Sequence, residues 1–242
     1  MKKRNVFCIA AGCACLSFAV CDFFSWGTEV VNEKKILHVI AEQSDGSSLE
    51  KNVSLKEMNP EYVCMLEMEE PSLHLPIVQG NNDAYYLNHA FDSSFSSLGT
   101  PFFSSQTRKE DAVRIIYGHH VYYDATAMFS PLLKLDDAVD ARFTLQYETY
   151  RENYAVTHVL HLSKDNRTFA LRKQSFLNQE DFDQWKRYAD EHTVLSYTVP
   201  CTREDTYVIL QTCGETDDTF QIVIGKRTTM ESKALVSQVE KK

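Results

Sequence analysis

What the sequence lacks narrows its function first. The 242 residues contain no C-x-x-C pair, and no histidine stands at metal-ligand spacing from a cysteine, so a zinc site is not expected. No compact acidic cluster asks for calcium. Positive charge is in short supply: 25 Lys and Arg against 34 Asp and Glu give a net charge of -9. That balance argues against a sequence-independent grip on nucleic acid, which needs clustered basic residues. Internal repeats and low-complexity segments are absent as well. What remains is one globular domain with a sizeable core and an appendage.

Paired cysteines are also missing where an exported domain would want them. Of the seven cysteines, Cys8, Cys13, Cys15 and Cys21 lie in the N-terminal hydrophobic run, leaving Cys64, Cys201 and Cys213. Three thiols leave at least one unpaired, which is a poor disulfide scaffold and an open question about the odd one.

The N-terminus, "MKKRNVFCIAAGCACLSFAV", is a basic triplet followed by an uncharged run from Asn5 to Cys21, closed by Asp22 and the aromatic "FFSW". A retained signal-anchor is the preferred reading of residues 1–26, ahead of a cleaved signal peptide and of lipid modification at Cys21. Basic residues before the span would keep the N-terminus inside, with the rest of the chain outside the membrane. Residues 27–56 read as a polar helical extension, with Val30, Val31, Ile36, Leu37 and Ile40 at roughly helical spacing, interrupted by "SDGSS".

From Glu61 the pattern is that of strands. "YVCMLEM", "LPIVQG", "AYYLNHAF", "AVRIIYGHH", "RFTLQYETY", "YAVTHVLHL", "RTFALRKQSF", "VLSYTV", "TYVILQTC" and "FQIVIGKR" are rich in β-branched and aromatic residues. Turn-type stretches such as "GNND", "SSLGTP", "SKDN" and "GETDD" divide them. A mainly β domain of eight or so short strands predicts a closed or nearly closed barrel. Two helices are expected to interrupt it. One is "TAMFSPLLKL"; the other is "NQEDFDQWKRYADEH", with Asn178 as N-cap, acids in its first turn, and Phe182, Trp185 and Tyr188/Ala189 as its packing stripe.

Two strand ends carry reactive side chains. "YVILQTCGE" sets Cys213 after an apolar run and before Gly214, and "RIIYGHHVYYD" sets His119 and His120 at the end of another. A thiol of ordinary pKa near 8.5 needs a nearby imidazole or cation to act as a nucleophile. A strand terminus holds such a group more rigidly than a loop. A buried structural cysteine and a capping histidine account for each segment alone; together they leave the two readings in balance.

The stretch "EMNPEYVCMLEMEEPSLHLPIVQGNNDAYYLNHAFD", followed by "IIYGHHVYYDATAMF" and "YVILQTCGE", resembles the class B sortases, membrane-anchored cysteine transpeptidases of Gram-positive bacteria. The resemblance runs from about Glu57 to Arg227, and the helix around Trp185 and the N-terminal extension are similar to features of that class. It implies an eight-stranded sortase β-barrel over residues 57–235, with an N-terminal helical extension, an inserted helix near 179–192 and a tail at 236–242. It implies Cys213 as nucleophile on the peptide bond after Thr in a C-terminal sorting motif, and His119 as the acid and base, with His120 as a neighbour. Thr212 would position substrate. The implied partners are secreted proteins carrying that motif, or pilins, and an acceptor amine from a cell-wall precursor or a lysine. The implied location is the cell membrane, single-pass, with no cofactor.

One departure stands out. The family places an arginine early on the last long strand, where "TCGETDDTFQIVIGKR" offers Phe220 or Gln221 according to register. Gln221 can donate an uncharged hydrogen bond, Arg227 and Arg203 are the charged candidates, and Arg114 is a weaker one. The departure keeps a second class of function open, a sortase-fold protein of impaired activity that binds sorting peptides. A plain cysteine protease is a third.

Overall fold

A computed structural model describes Val31 and residues 55–136, 140–165, 171–216 and 218–232. The expected membrane segment (1–26), nearly all of the helical extension (27–56) and the C-terminal tail (236–242) lie outside the described residues. Among the described residues no helix is long and apolar enough to cross a membrane. A single helical turn at 55–58 leads into Asn59.

Among the described residues nine strands follow: β1 (Tyr62–Met68), β2 (Leu73–Val78), β3 (Phe102–Phe103), β4 (Val113–Tyr117), β5 (Arg142–Gln146), β6 (Tyr150–Ser163), β7 (Thr193–Ser196), β8 (Tyr207–Cys213) and β9 (Thr219–Ser232). Their order across the sheet is β5-β1-β2-β3-β4-β8-β9-β6-β7, and a further pairing of β5 with β6 closes the ring. The long strand β6 makes this possible by dividing its free edge. Arg151 to Ala155 pair with β5, whereas His158 to Leu160 pair with β7. The result is the mainly β, eight-stranded barrel that the strand pattern predicts, with β7 hanging outside the ring.

Period-2 alternation sorts the side chains into two layers. Inward-facing Ile116, Val208, Leu210, Val223, Val156 and Phe143 form the barrel core. The alternate residues Val113, Ile115, Tyr207, Ile209, Ile222, Ile224, Leu160 and Leu162 face outward yet are buried, because α1 (Gln179–His192) covers them with Phe182, Trp185 and Ala189. Both faces of these four strands are therefore apolar, which is why they read as nearly continuous hydrophobic runs. The Asn178 side chain accepts from Asp181 N–H at 2.9 Å and Trp185 Nε1 donates to Leu171 O at 3.0 Å, fixing the start and the roll of α1.

Two expected elements differ. "AYYLNHAF" forms a 3-10 turn at Tyr85–Leu87 rather than a strand, since Asn82 Oδ1 accepts from both Ala84 N–H and Tyr85 N–H and curls the backbone. "TAMFSPLLKL" yields only a short 3-10 helix, Ser130–Lys134. The described part of "RTFALRKQSF", residues 171–176, runs alongside β4 through one bridge, Val113 to Lys173, and forms no strand.

Candidate active site

β4 and β8 are parallel neighbours, with Val113 opposite Tyr207 and Tyr117 opposite Gln211. Gly118 N–H extends the ladder by donating to Gln211 O at 3.1 Å. β4 ends at Tyr117, and His119, two residues beyond it, comes to the same end of the sheet as Cys213, two residues beyond Gln211 on β8. Both side chains fall on the outer face, that of Tyr117 and Gln211. They line one open groove of about 430 Å³ together with Leu87, Phe102, Tyr117, Gly118, Lys164, Arg172 and Phe220. The groove thus continues the outward face of the sheet beyond the area that α1 covers.

Each member is held from behind. A Cβ added at Gly118 would come within 2.6 Å of the Phe129 ring, which is fully buried, so only glycine lets β4 run straight into His119 here. Phe129 N–H donates to His119 O at 3.0 Å. The imidazole Nε2 lies 2.7 Å from Leu87 O. A carbonyl only accepts, so this nitrogen carries the proton and the lone pair of the neutral ring belongs to Nδ1. Leu87 is itself fixed through the adjacent Tyr86, whose hydroxyl donates to Glu61 Oε2 at 2.6 Å and accepts from Asn59 Nδ2 at 3.0 Å. His120 turns aside, its Nδ1 2.8 Å from Gly214 O.

The three described cysteines separate by environment. Cys64 is fully buried, and that burial pushes its thiol far above the ordinary range. Burial also raises Cys201. Cys213, half-buried, opens onto the groove.

The register on the other flank of β8 resolves the position opened by the sequence. Cys213 pairs with Phe220 and Thr212 with Gln221. Phe220 therefore shares the groove face with the sulfur, and Gln221 points into the barrel, where it is 2 % exposed and its Nε2 donates to Leu132 O at 3.1 Å. Gln221 does not line the groove. Thr212 belongs to the groove wall, but alternation turns its side chain to the interior beside Gln221, away from the face that carries Cys213. Arg227 Nη1 donates to Glu152 Oε1 at 2.8 Å, Arg203 pairs with Glu204 at the surface, and Arg114 is buried against Glu152, Tyr147 and Tyr154. None of these three arginines lines the groove.

Among the described residues, the Lys and Arg side chains that do are Lys164 and Arg172, neither of them singled out by the sequence. Lys164 directly follows β6, and its ammonium lies 5.5 Å from the centre of the Phe220 ring. The Arg172 guanidinium lies 5.5 Å from the centre of the Tyr117 ring. A strand followed by a turn lysine is a common surface pattern, and it carries no local sign of a site.

A strand-terminal thiol, an imidazole one strand away with its proton position fixed, and an open apolar groove can together support acyl transfer through sulfur. No family model matches the chain. In sequence it is similar to sortase B of Listeria monocytogenes, 27% identical over 168 residues, covering 68% of this chain and 67% of that one. It is also similar to sortase B of Staphylococcus aureus, 25% identical over 183 residues, covering 71% of each. In structure it is similar to sortase B of Clostridium perfringens, with a TM-score of 0.66 and 22% identity over 73% of this chain and 98% of that one.

Proposed function

The chain belongs to the class B sortase family, and on that premise we propose that it is a transpeptidase whose nucleophile is Cys213 and whose proton carrier is His119. The observation that carries this reading is that His119 and Cys213, just past the parallel-paired stretch of β4 and β8, line one open groove.

The thiolate of Cys213 adds to the carbonyl carbon after threonine in a sorting motif, forming a C–S bond and placing the electron pair on oxygen. Collapse of this intermediate breaks the C–N bond, and protonated His119 gives its proton to the departing amine. An incoming amine then attacks the thioester, His119 takes its proton, and Cys213 leaves as thiolate. Leu87 O orients the ring throughout by holding Nε2–H, leaving Nδ1 as the nitrogen that exchanges protons. The groove is lined largely by apolar groups, which suits an extended peptide whose backbone enters between Leu87 and Phe220.

The substrates are secreted proteins carrying a C-terminal sorting motif, and the acceptor is a cell-wall amine. The N-terminal segment holds the enzyme at the outer face of the membrane. Polymerisation of pilins through a lysine amine is the alternative within the same chemistry. The test is incubation of the full chain with quenched peptides bearing threonine before the scissile bond, with and without an added amine. Intact-mass analysis is expected to find an acyl adduct on Cys213, released as the transpeptidation product by amine and absent in Cys213→Ala and His119→Ala. Hydrolysis that added amine leaves unchanged would instead mark a plain protease. A peptide that binds wild type and Cys213→Ala equally, with no adduct, would mark a binding protein.

A further inference from the structure

Acylation of Cys213 puts negative charge on the carbonyl oxygen, and stabilisation of that charge is commonly the largest single contribution to such a reaction. The donors that adjoin the nucleophile along β8 and β9 are not presented to the groove. Gly214 N–H, which follows the sulfur, donates to Thr219 O at 2.9 Å. Thr212 and Gln221 face the barrel interior, and Phe220, directly across from Cys213, has nothing to donate.

Strand order arranges the groove in a row. His119 lies two residues past the end of β4, β8 ends at Cys213, Phe220 is the second residue of β9, and β6 gives way to Lys164. The pairing of Leu162 with Phe220 and the bond from Lys164 N–H to Asp218 O at 2.7 Å keep Lys164 in register, on the same outward face as Leu162 and Phe220. Its ammonium lies over the ring of Phe220, the cross-strand partner of Cys213. The sulfur therefore stands between the imidazole on one side and an ammonium on the other. Proton transfer to the leaving amine takes place on the β4 side, so the carbonyl oxygen is directed towards β9 and β6. Arg172 stands on the opposite side, beside Tyr117 on β4, where residues 173 and 174 bond to Val113 and Ala112.

We infer that Lys164 is a catalytic residue of this enzyme, reaching over Phe220 from the end of β6 to stabilise the oxyanion formed at Cys213. The inference rests on the transpeptidase reading above. In the step itself the thiolate pair forms the C–S bond and the carbonyl π pair moves to oxygen, opposite the ammonium. That pair returns as the C–N bond breaks and His119 protonates the amine. Lys164 keeps its protons throughout.

The test compares the full-length wild type with Lys164→Ala, Lys164→Arg, Arg172→Ala and the double variant Lys164→Ala/Phe220→Arg. Acylation is measured with the same quenched peptides. Lys164→Ala is expected to lower kcat/KM by about 10²-fold, in the range for a lost oxyanion donor, with the loss in kcat. Lys164→Arg should stay within a few-fold of wild type, and Phe220→Arg should restore much of the loss by supplying a cation next door. An independent readout is the modification of Cys213 by anionic and cationic methanethiosulfonates, followed by peptide mass. Lys164→Ala should lower the anionic-to-cationic rate ratio, a change that a merely structural role would not produce. Lys164→Ala turning over within threefold of wild type overturns the inference, as does a loss found in Arg172→Ala instead. Wild type that forms no adduct with any peptide overturns the transpeptidase reading itself, and the inference with it.

Discussion

Phe220 and Gln221 are adjacent on β9 and have opposite surroundings. Phe220 is half-buried on the groove wall, whereas Gln221 is sealed in the barrel with its amide bonded to Leu132 O. An arginine at each position would meet those two environments. Phe220→Arg should leave stability within about 1 kcal/mol, because its charge can reach solvent. Gln221→Arg buries a cation without a counter-ion and should cost about 3–5 kcal/mol. Urea midpoints compared at constant m-value would check both, and equal midpoints would mean that the β8–β9 register is wrong. The position of Cys213 and His119 at strand ends was legible in sequence because apolar runs stop abruptly there. Whether Phe220 or Gln221 faced the sulfur was not legible, since a shift of one residue exchanges the faces of a strand and the "GETDD" turn does not reveal its length in pairing terms. Lys164 was illegible for a different reason: its role depends on β6 lying beside β9, a long-range fact absent from its local context.

At the scale of elements, α1 and the outer face of β6 meet through a polar clasp. His158 on β6 places Nε2 2.9 Å from Asp190 Oδ1, and Lys186 Nζ reaches the same carboxylate from one turn earlier on the helix. Burial lowers the imidazole below its ordinary value of 6.5, and it outweighs the opposing pull of Asp190. The folded state therefore favours neutral His158. Its contribution to stability is present above pH 6.5 and is lost as pH falls from there through the depressed folded-state value. Thermal unfolding is expected to show a fall in Tm as pH drops below 6.5, and His158→Gln should flatten that fall. An unchanged profile in the variant would assign the pH dependence to another group. The helix itself was visible in sequence from Asn178, the acidic first turn and the Phe182–Trp185–Ala189 stripe, because capping and amphipathicity are local. The 3-10 turn at Tyr85–Leu87 was not, since aromatic β-formers dominate "AYYLNHAF" and the single Asn82 side chain decides the backbone.

For the whole molecule, the barrel closes around a buried ion pair. Arg114 and Glu152 are 2 % and 1 % exposed, with Arg114 Nη2 2.5 Å from Glu152 Oε2 and Tyr147 and Tyr154 hydroxyls completing the set. Burial alone would raise the Glu152 carboxyl, but the Arg114 charge and its hydrogen bonds, with Arg227 beyond, hold it below the ordinary 4.5. Its contribution to stability is present above pH 4.5 and is lost as pH falls through the lowered value. Glu152→Gln should leave the Arg114 charge uncompensated and cost about 3–5 kcal/mol, measurable by urea unfolding at pH 7. A cost under about 1 kcal/mol would show that the two tyrosines suffice as partners. Barrel closure was foreseeable from the number of strands. The closing β5–β6 pair was not, because β6 serves three neighbours and its sequence gives no hint of where one pairing stops and the next starts.

The union of His119 with Cys213 runs through the backbone ladder between β4 and β8, and the 93 intervening residues are no part of it. Everything up to β7 could accordingly be made as one polypeptide and the β8–β9 hairpin as another, the first bearing the imidazole and the second the sulfur. Mixed together, the two fragments would recover the proposed centre by docking one hairpin into a gap in the wall, and the molecule would become its own assembly-dependent switch.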